Sequence, residues 1–150
     1  MQDLKRILLV EDNPKDVKLT LRALAESRLA NEVVVVNDGD EALDYLHRRG
    51  KYELRAAGDP AVILLDLKLP RVSGLDVLKT LKSDSELKKI PVVMLTSSRE
   101  EQDLTRSYDT GVNAYVVKPV DFKEFIHALQ TLGVFWAVVN EPPTGCVPRG

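Results

Sequence analysis

Five short apolar runs, at 7–10, 33–36, 61–65, 92–95 and 114–117, are separated by longer stretches in which apolar and polar positions recur at helical spacing. The runs are nearly unbroken Val, Ile and Leu rather than alternating, which is the pattern of strands covered on both faces. The intervening lengths suit helical crossovers, so the chain predicts an α/β fold built on a parallel sheet. Helix starts are well marked. Asn13 precedes Pro14, and proline at the first helical position loses no intrahelical hydrogen bond. Asp38-x-x-Glu41, Ser98-x-x-Glu101 and Asp121-x-x-Glu124 are capping boxes, Ser73-x-x-Asp76 is a weaker version, and Gly111 suits the end of the fourth helix. Helices are expected over 14–28, 38–49, 74–83, 99–110 and 121–139.

Two regions depart from this repeat. The polar stretch 48–60 reads as a surface loop, and 140–150, rich in Pro and Gly, reads as a tail after a domain of 1–139. The last helix carries Phe122, Phe125, Ile126, Leu129, Leu132 and Trp136 on one stripe, suited to covering a sheet. Beyond Gly133, however, residues 134–139 are apolar all round. An unbroken helix over 121–139 would be about 28 Å long against about 17 Å for a five-residue strand, leaving an overhang. A homodimer through Val134, Phe135, Trp136 and Val138 is the expected use of it, with folding back over the loop near 50–60 as the alternative.

Length and charge narrow the classes. At 150 residues a single domain is expected, with no fused output domain. A net charge of −2 lacks the basic field of a DNA-binding surface. One cysteine, Cys146, permits no intrachain disulfide and no Cys-based metal site. No apolar stretch approaches the roughly 20 residues of a membrane span, and a reducing, cytoplasmic setting is expected.

The chemistry gathers at the strand ends. Glu11 and Asp12 follow the first run, Asp66 the third and Thr96 the fourth, while the fifth leads into Lys118 and Pro119. In an open parallel sheet these ends share one edge, where ligands bind at the reversal of winding. Three carboxylates in one crevice repel each other and call for a cation. Oxygen ligands without His or Cys favour Mg²⁺, or Mn²⁺, over zinc. A lysine and a threonine hydroxyl beside such a metal suit phosphoryl chemistry. His47 and His127, unpaired in helices, read as partly buried structural residues.

These residues resemble the receiver domain of two-component response regulators, through Leu8-Leu9-Val10-Glu11-Asp12-Asn13, Leu64-Leu65-Asp66-Leu67-Lys68-Leu69-Pro70, Ser73-Gly74, Met94-Leu95-Thr96-Ser97 and Ala114-Tyr115-Val116-Val117-Lys118-Pro119. The resemblance implies a flavodoxin-like five-stranded sheet of order 2-1-3-4-5. It also implies that Asp66 accepts a phosphoryl group from a sensor histidine kinase. By the same resemblance Asp12, Asp66 and the Lys68 carbonyl would hold the metal, with Glu11 acting through water. Lys118 and Thr96 would bind phosphoryl oxygens, Tyr115 would be the switch aromatic, and the bond before Pro119 would be cis. Output would pass to a downstream protein or a histidine phosphotransfer domain. The long last helix and the longer loop before the third strand make the chain similar to stand-alone regulators serving phytochrome-type photoreceptor kinases. Two alternatives stand beside this reading. A Mg²⁺-dependent phosphohydrolase would need an acid where Lys68 stands, and a phosphate-free docking module would have no physical need for Glu11, Asp12, Asp66, Thr96 and Lys118 together. Nucleotide-binding glycine loops are absent from the chain.

Overall fold

The computed structural model describes residues 5–26, 31–97 and 114–133. Strands β1 (Ile7–Val10), β2 (Val33–Val36), β3 (Val62–Asp66), β4 (Val92–Thr96) and β5 (Ala114–Val117) form one sheet of order β2-β1-β3-β4-β5, every neighbouring pair parallel. β3 and β4 each run one residue past their apolar runs, so Asp66 and Thr96 are held by strand backbone rather than by loops. Residues of β1, β3 and β4 are buried throughout, whereas the edge strands β2 and β5 are covered less completely.

Alternation along the strands divides the core in two. Leu8, Val10, Ile63, Leu65 and Met94 face a cluster completed by helices α2 (Gly39–His47) and α3 (Gly74–Ser83). Ile7, Leu9, Leu64, Val93 and Leu95 face α1 (Pro14–Glu26) and α4 (Phe122–Thr131) through Ala23, Leu24, Phe125 and Leu129. Helices on both faces make this the expected flavodoxin-like, doubly wound sheet, with a C-terminal helix present.

The caps form as the sequence anticipates. Asn13 Oδ1 accepts from the Lys15 and Asp16 N–H groups, Asp38 from Glu41, Ser73 from Asp76, and Asp121 from Lys123 and Glu124. The helix expected over 99–110, with Ser98, Glu101 and Gly111, lies outside the described residues.

Three expectations are corrected. The last helix is not continuous over 121–139: it ends at Thr131, and Gly133 adopts φ 72°, a left-handed conformation that closes a helix and that glycine takes without strain. Without an unbroken helix the expected overhang no longer follows, and Val134, Phe135, Trp136 and Val138 lie outside the described residues. Phe122, placed at the very start of α4, is 37% exposed rather than core, and neither histidine is buried: His127 falls on the outer face of that helix, and His47, at the end of α2, is exposed beside Asp84. The stretch 48–60 is the exposed surface segment expected, with local order of its own. A 3₁₀ turn at Gly50–Tyr52 brings Tyr52 edge-on to Tyr45, with ring centroids 5.1 Å apart, and Arg55 stacks on the other ring with its guanidinium carbon 4.1 Å from the Tyr45 centroid.

Candidate functional site

The carboxyl ends of β1, β3, β4 and β5 meet beside the point where the strand order reverses between β1 and β3. Glu11 is fully buried directly after β1, Asp66 is 3% exposed at the end of β3, and Asp12 is exposed at the crevice mouth. One oxygen from each of these three carboxylates lies within 4.8 Å of the others. A groove walled by Pro14, Val17 and Val35 opens beside Asp12.

Asp66 is placed by backbone packing. The first residue of α3, Gly74, presses against the main chain at Asp66: a Cβ there would stand 2.2 Å from the Asp66 carbonyl oxygen and 2.9 Å from Leu67 Cα. Only glycine fits, and its N–H donates to the Leu67 carbonyl at 3.0 Å. In the same loop, Arg71 pairs with Asp38, the cap of α2, and so ties the loop back to that helix. Lys68 is exposed two residues past Asp66, and its N–H donates to Asp66 Oδ1 at 3.4 Å.

Lys118 reaches in from β5. Its ammonium donates to Asp16 Oδ2 at 2.9 Å and to Glu11 Oε1 at 3.2 Å, and forms an ion pair with Asp66 Oδ1 at 3.3 Å. Burial works against its charge, but the bond to Asp16 and the charges of Asp66 and Glu11 outweigh that and raise its pKa. Its backbone N–H donates to the Thr96 carbonyl at 2.7 Å, and the following Lys118–Pro119 bond is cis. For Glu11 the shift is also upward, but there it disfavours the charged form. Burial and the neighbouring Asp66 push its carboxyl up to about 7, only partly offset by Lys118 and the Asn13 N–H. Thr96 is fully buried, and among the described residues its Oγ1 has no hydrogen-bond partner. Tyr115 stands half-buried in β5 against the α2/α3 cluster.

Sequence reading located Glu11, Asp12, Asp66, Thr96 and Lys118, and the fold brings them together. It missed Asp16, which lies on the first turn of α1 rather than behind a strand. An acidic residue there has an ordinary explanation in the helix dipole, and only its place on the turn facing β1's end could have signalled more.

Among the described residues the donors suit a hard divalent cation: carboxylate oxygens only, with more negative charge than one lysine neutralises and a buried hydroxyl without a described partner. A family model described as the response regulator receiver domain matches residues 7–130. The chain belongs to that family. It is 66% identical to the solved bacteriophytochrome response regulator AtBRR, with a TM-score of 0.87 over 93% of this chain and 100% of that one. It is 44% identical to the phosphorylated cyanobacterial phytochrome response regulator RcpA, with a TM-score of 0.72 over 89% of this chain and 94% of that one. Response regulator Rcp1 of Synechocystis is 39% identical over 132 residues, 88% of each chain. The Mn²⁺-bound form of Rcp1 overlays with a TM-score of 0.71 at 38% identity, over 93% of this chain and 99% of that one. Receiver domains are signalling proteins, and this receiver has, among its described residues, no helix long and apolar enough to cross a membrane.

Proposed function

We propose that this receiver accepts a phosphoryl group on Asp66 from a sensor histidine kinase and signals by a shift between conformations. The observation that carries the reading is the pairing of Asp66 with Lys118 at 3.3 Å in a crevice whose one buried hydroxyl, Thr96 Oγ1, lacks a partner among the described residues. A carboxylate oxygen of Asp66 attacks phosphorus, the phosphorus–nitrogen bond to the kinase histidine breaks, and its electron pair returns to the imidazole. Lys118 and Thr96 then donate to the new phosphoryl oxygens. Asp12, Asp66 and the Lys68 carbonyl would hold Mg²⁺ or Mn²⁺, with Glu11 acting through water. When bound, the metal offsets the charge gathered between carboxylate and phosphoryl group. Movement of Thr96 draws Tyr115 inward and alters the face at β5 and α4, a population shift rather than a new fold.

The names of the relatives support a phytochrome-type photoreceptor kinase as the phosphoryl source. Output then goes to a downstream protein or a histidine phosphotransfer domain, with the segment around Val134, Phe135, Trp136 and Val138 as a homodimer contact. Incubation with acetyl phosphate and Mg²⁺, read by intact mass, tests the central step. A single adduct that requires Mg²⁺ and is missing from folded Asp66→Asn is expected. An adduct retained in Asp66→Asn, or turnover of external phosphoesters, would overturn it.

A further inference from the structure

Lys118 is the junction of the crevice, yet its shortest bond runs away from the residue it is expected to serve. The ammonium donates to Asp16 at 2.9 Å and Glu11 at 3.2 Å, while Asp66 stands at 3.3 Å as an ion pair. An ammonium has three N–H donors, and three carboxylates already surround this one. The two acids that take its hydrogen bonds differ in freedom. Glu11 is fully buried against a strand end, whereas the Asp16 side chain is 27% exposed on the first turn of α1, where water can replace the lysine. A phosphoryl group on Asp66 adds three strong acceptor oxygens. To donate more than one bond to them, the lysine must give up a bond it now makes, and Asp16 releases it at the smaller cost.

We infer that Asp16 is a positioning residue that holds Lys118 toward α1 in the unphosphorylated state and competes with phosphoryl oxygens for its ammonium. This rests on Asp66 being the phosphoacceptor. Asp16 thereby sets how readily the site fills, without touching the phosphoryl group itself.

The test is calorimetric titration with beryllofluoride in Mg²⁺, a phosphoryl mimic for Asp66, on wild type, Asp16→Asn, Asp16→Ser and Asp16→Glu, each checked for folding by circular dichroism. Loss of this partly buried ion pair is expected to tighten beryllofluoride binding about three- to tenfold in the two neutral variants, with Asp16→Glu returning toward wild type. In a Lys118→Met background the same neutral changes should alter affinity less than about twofold, since the competition acts through the lysine. The Lys118 ammonium ¹H–¹⁵N signal gives a second readout: Asp16→Asn and beryllofluoride should each displace it in the same direction. Unchanged or weaker binding in the neutral variants overturns the inference, as does equal tightening without Lys118 or an ammonium signal indifferent to Asp16. A folded wild type that binds no beryllofluoride would instead remove the phosphoacceptor reading on which this stands.

Discussion

Glu11 and Glu41 are both drawn into the protein, and their surroundings treat them in opposite ways. Glu41, in the first turn of α2, accepts from the Asn37 N–H at 2.9 Å and the Tyr52 hydroxyl at 2.5 Å, and pairs with Lys51 at 3.0 Å. Burial pushes its carboxyl up, but those donors prevail and hold it below the usual range. Glu11 has a lysine and one N–H, and it shares that lysine with Asp16 and Asp66, so burial prevails and its carboxyl rises to about 7. A buried carboxylate with its own set of donors staples structure, here the turn at Gly50–Tyr52. One that shares its cation, beside a hydroxyl with no described partner, is poised to receive a ligand's charge.

Substitutions should separate the two kinds of buried acid. The largest effect is expected from Gly74→Ala, where a Cβ meets the Asp66 carbonyl. A loss of about 3 kcal/mol or more in urea unfolding should follow, together with weaker Mg²⁺ binding because Asp66 itself is displaced. Next, the two glutamates should differ in sign. Glu41→Gln should lower stability by about 1–2 kcal/mol by breaking its hydrogen-bonded network, while Glu11→Gln should leave the metal-free protein as stable or more so near neutral pH and weaken Mg²⁺ affinity.

A pH series refines that pair. An acid whose pKa is raised by folding destabilises the fold as it ionises, so the Glu11 contribution is least unfavourable below its ordinary value of 4.5 and worsens up to about 7. The stability of metal-free wild type should therefore fall relative to Glu11→Gln across that window, and saturating Mg²⁺ should abolish the divergence. Equal slopes for the two proteins would place Glu11 with the satisfied acids. The smallest effect is expected at Thr96→Val: removing a buried hydroxyl that has no partner among the described residues should raise thermal stability by about 1 kcal/mol while reducing retention of phosphoryl on Asp66.

Much of this was readable before any fold was known, and the reasons are local. Nearly unbroken Val, Ile and Leu at β1, β3 and β4 mark strands covered on both faces, and caps at Asn13, Asp38, Ser73 and Asp121 mark helix starts, because both signals depend on near neighbours in the chain. The convergence of Glu11, Asp66, Thr96 and Lys118 was also legible, since a parallel sheet brings its strand ends to one edge whatever the details of packing. Asp16 escaped because its importance comes from a lysine 102 positions away. The Tyr45–Tyr52–Arg55 stack escaped because polar, irregular sequence carries no period from which to infer contact. The unbroken last helix was overread because an apolar stripe continues past Gly133, although glycine's backbone freedom ended the helix there.

Periodicity, capping and strand-end position act over a few residues, so the alternation of strands and helices, the family, and the set of side chains delivered to the sheet edge are legible from the chain alone. Which carboxylate is satisfied and which is not, the need for Gly74 to lack a side chain beneath Asp66, and the lean of Lys118 toward Asp16 emerge only on packing. Burial, charge sharing and close approach arise from segments far apart in the chain, and they have values only after those segments have packed.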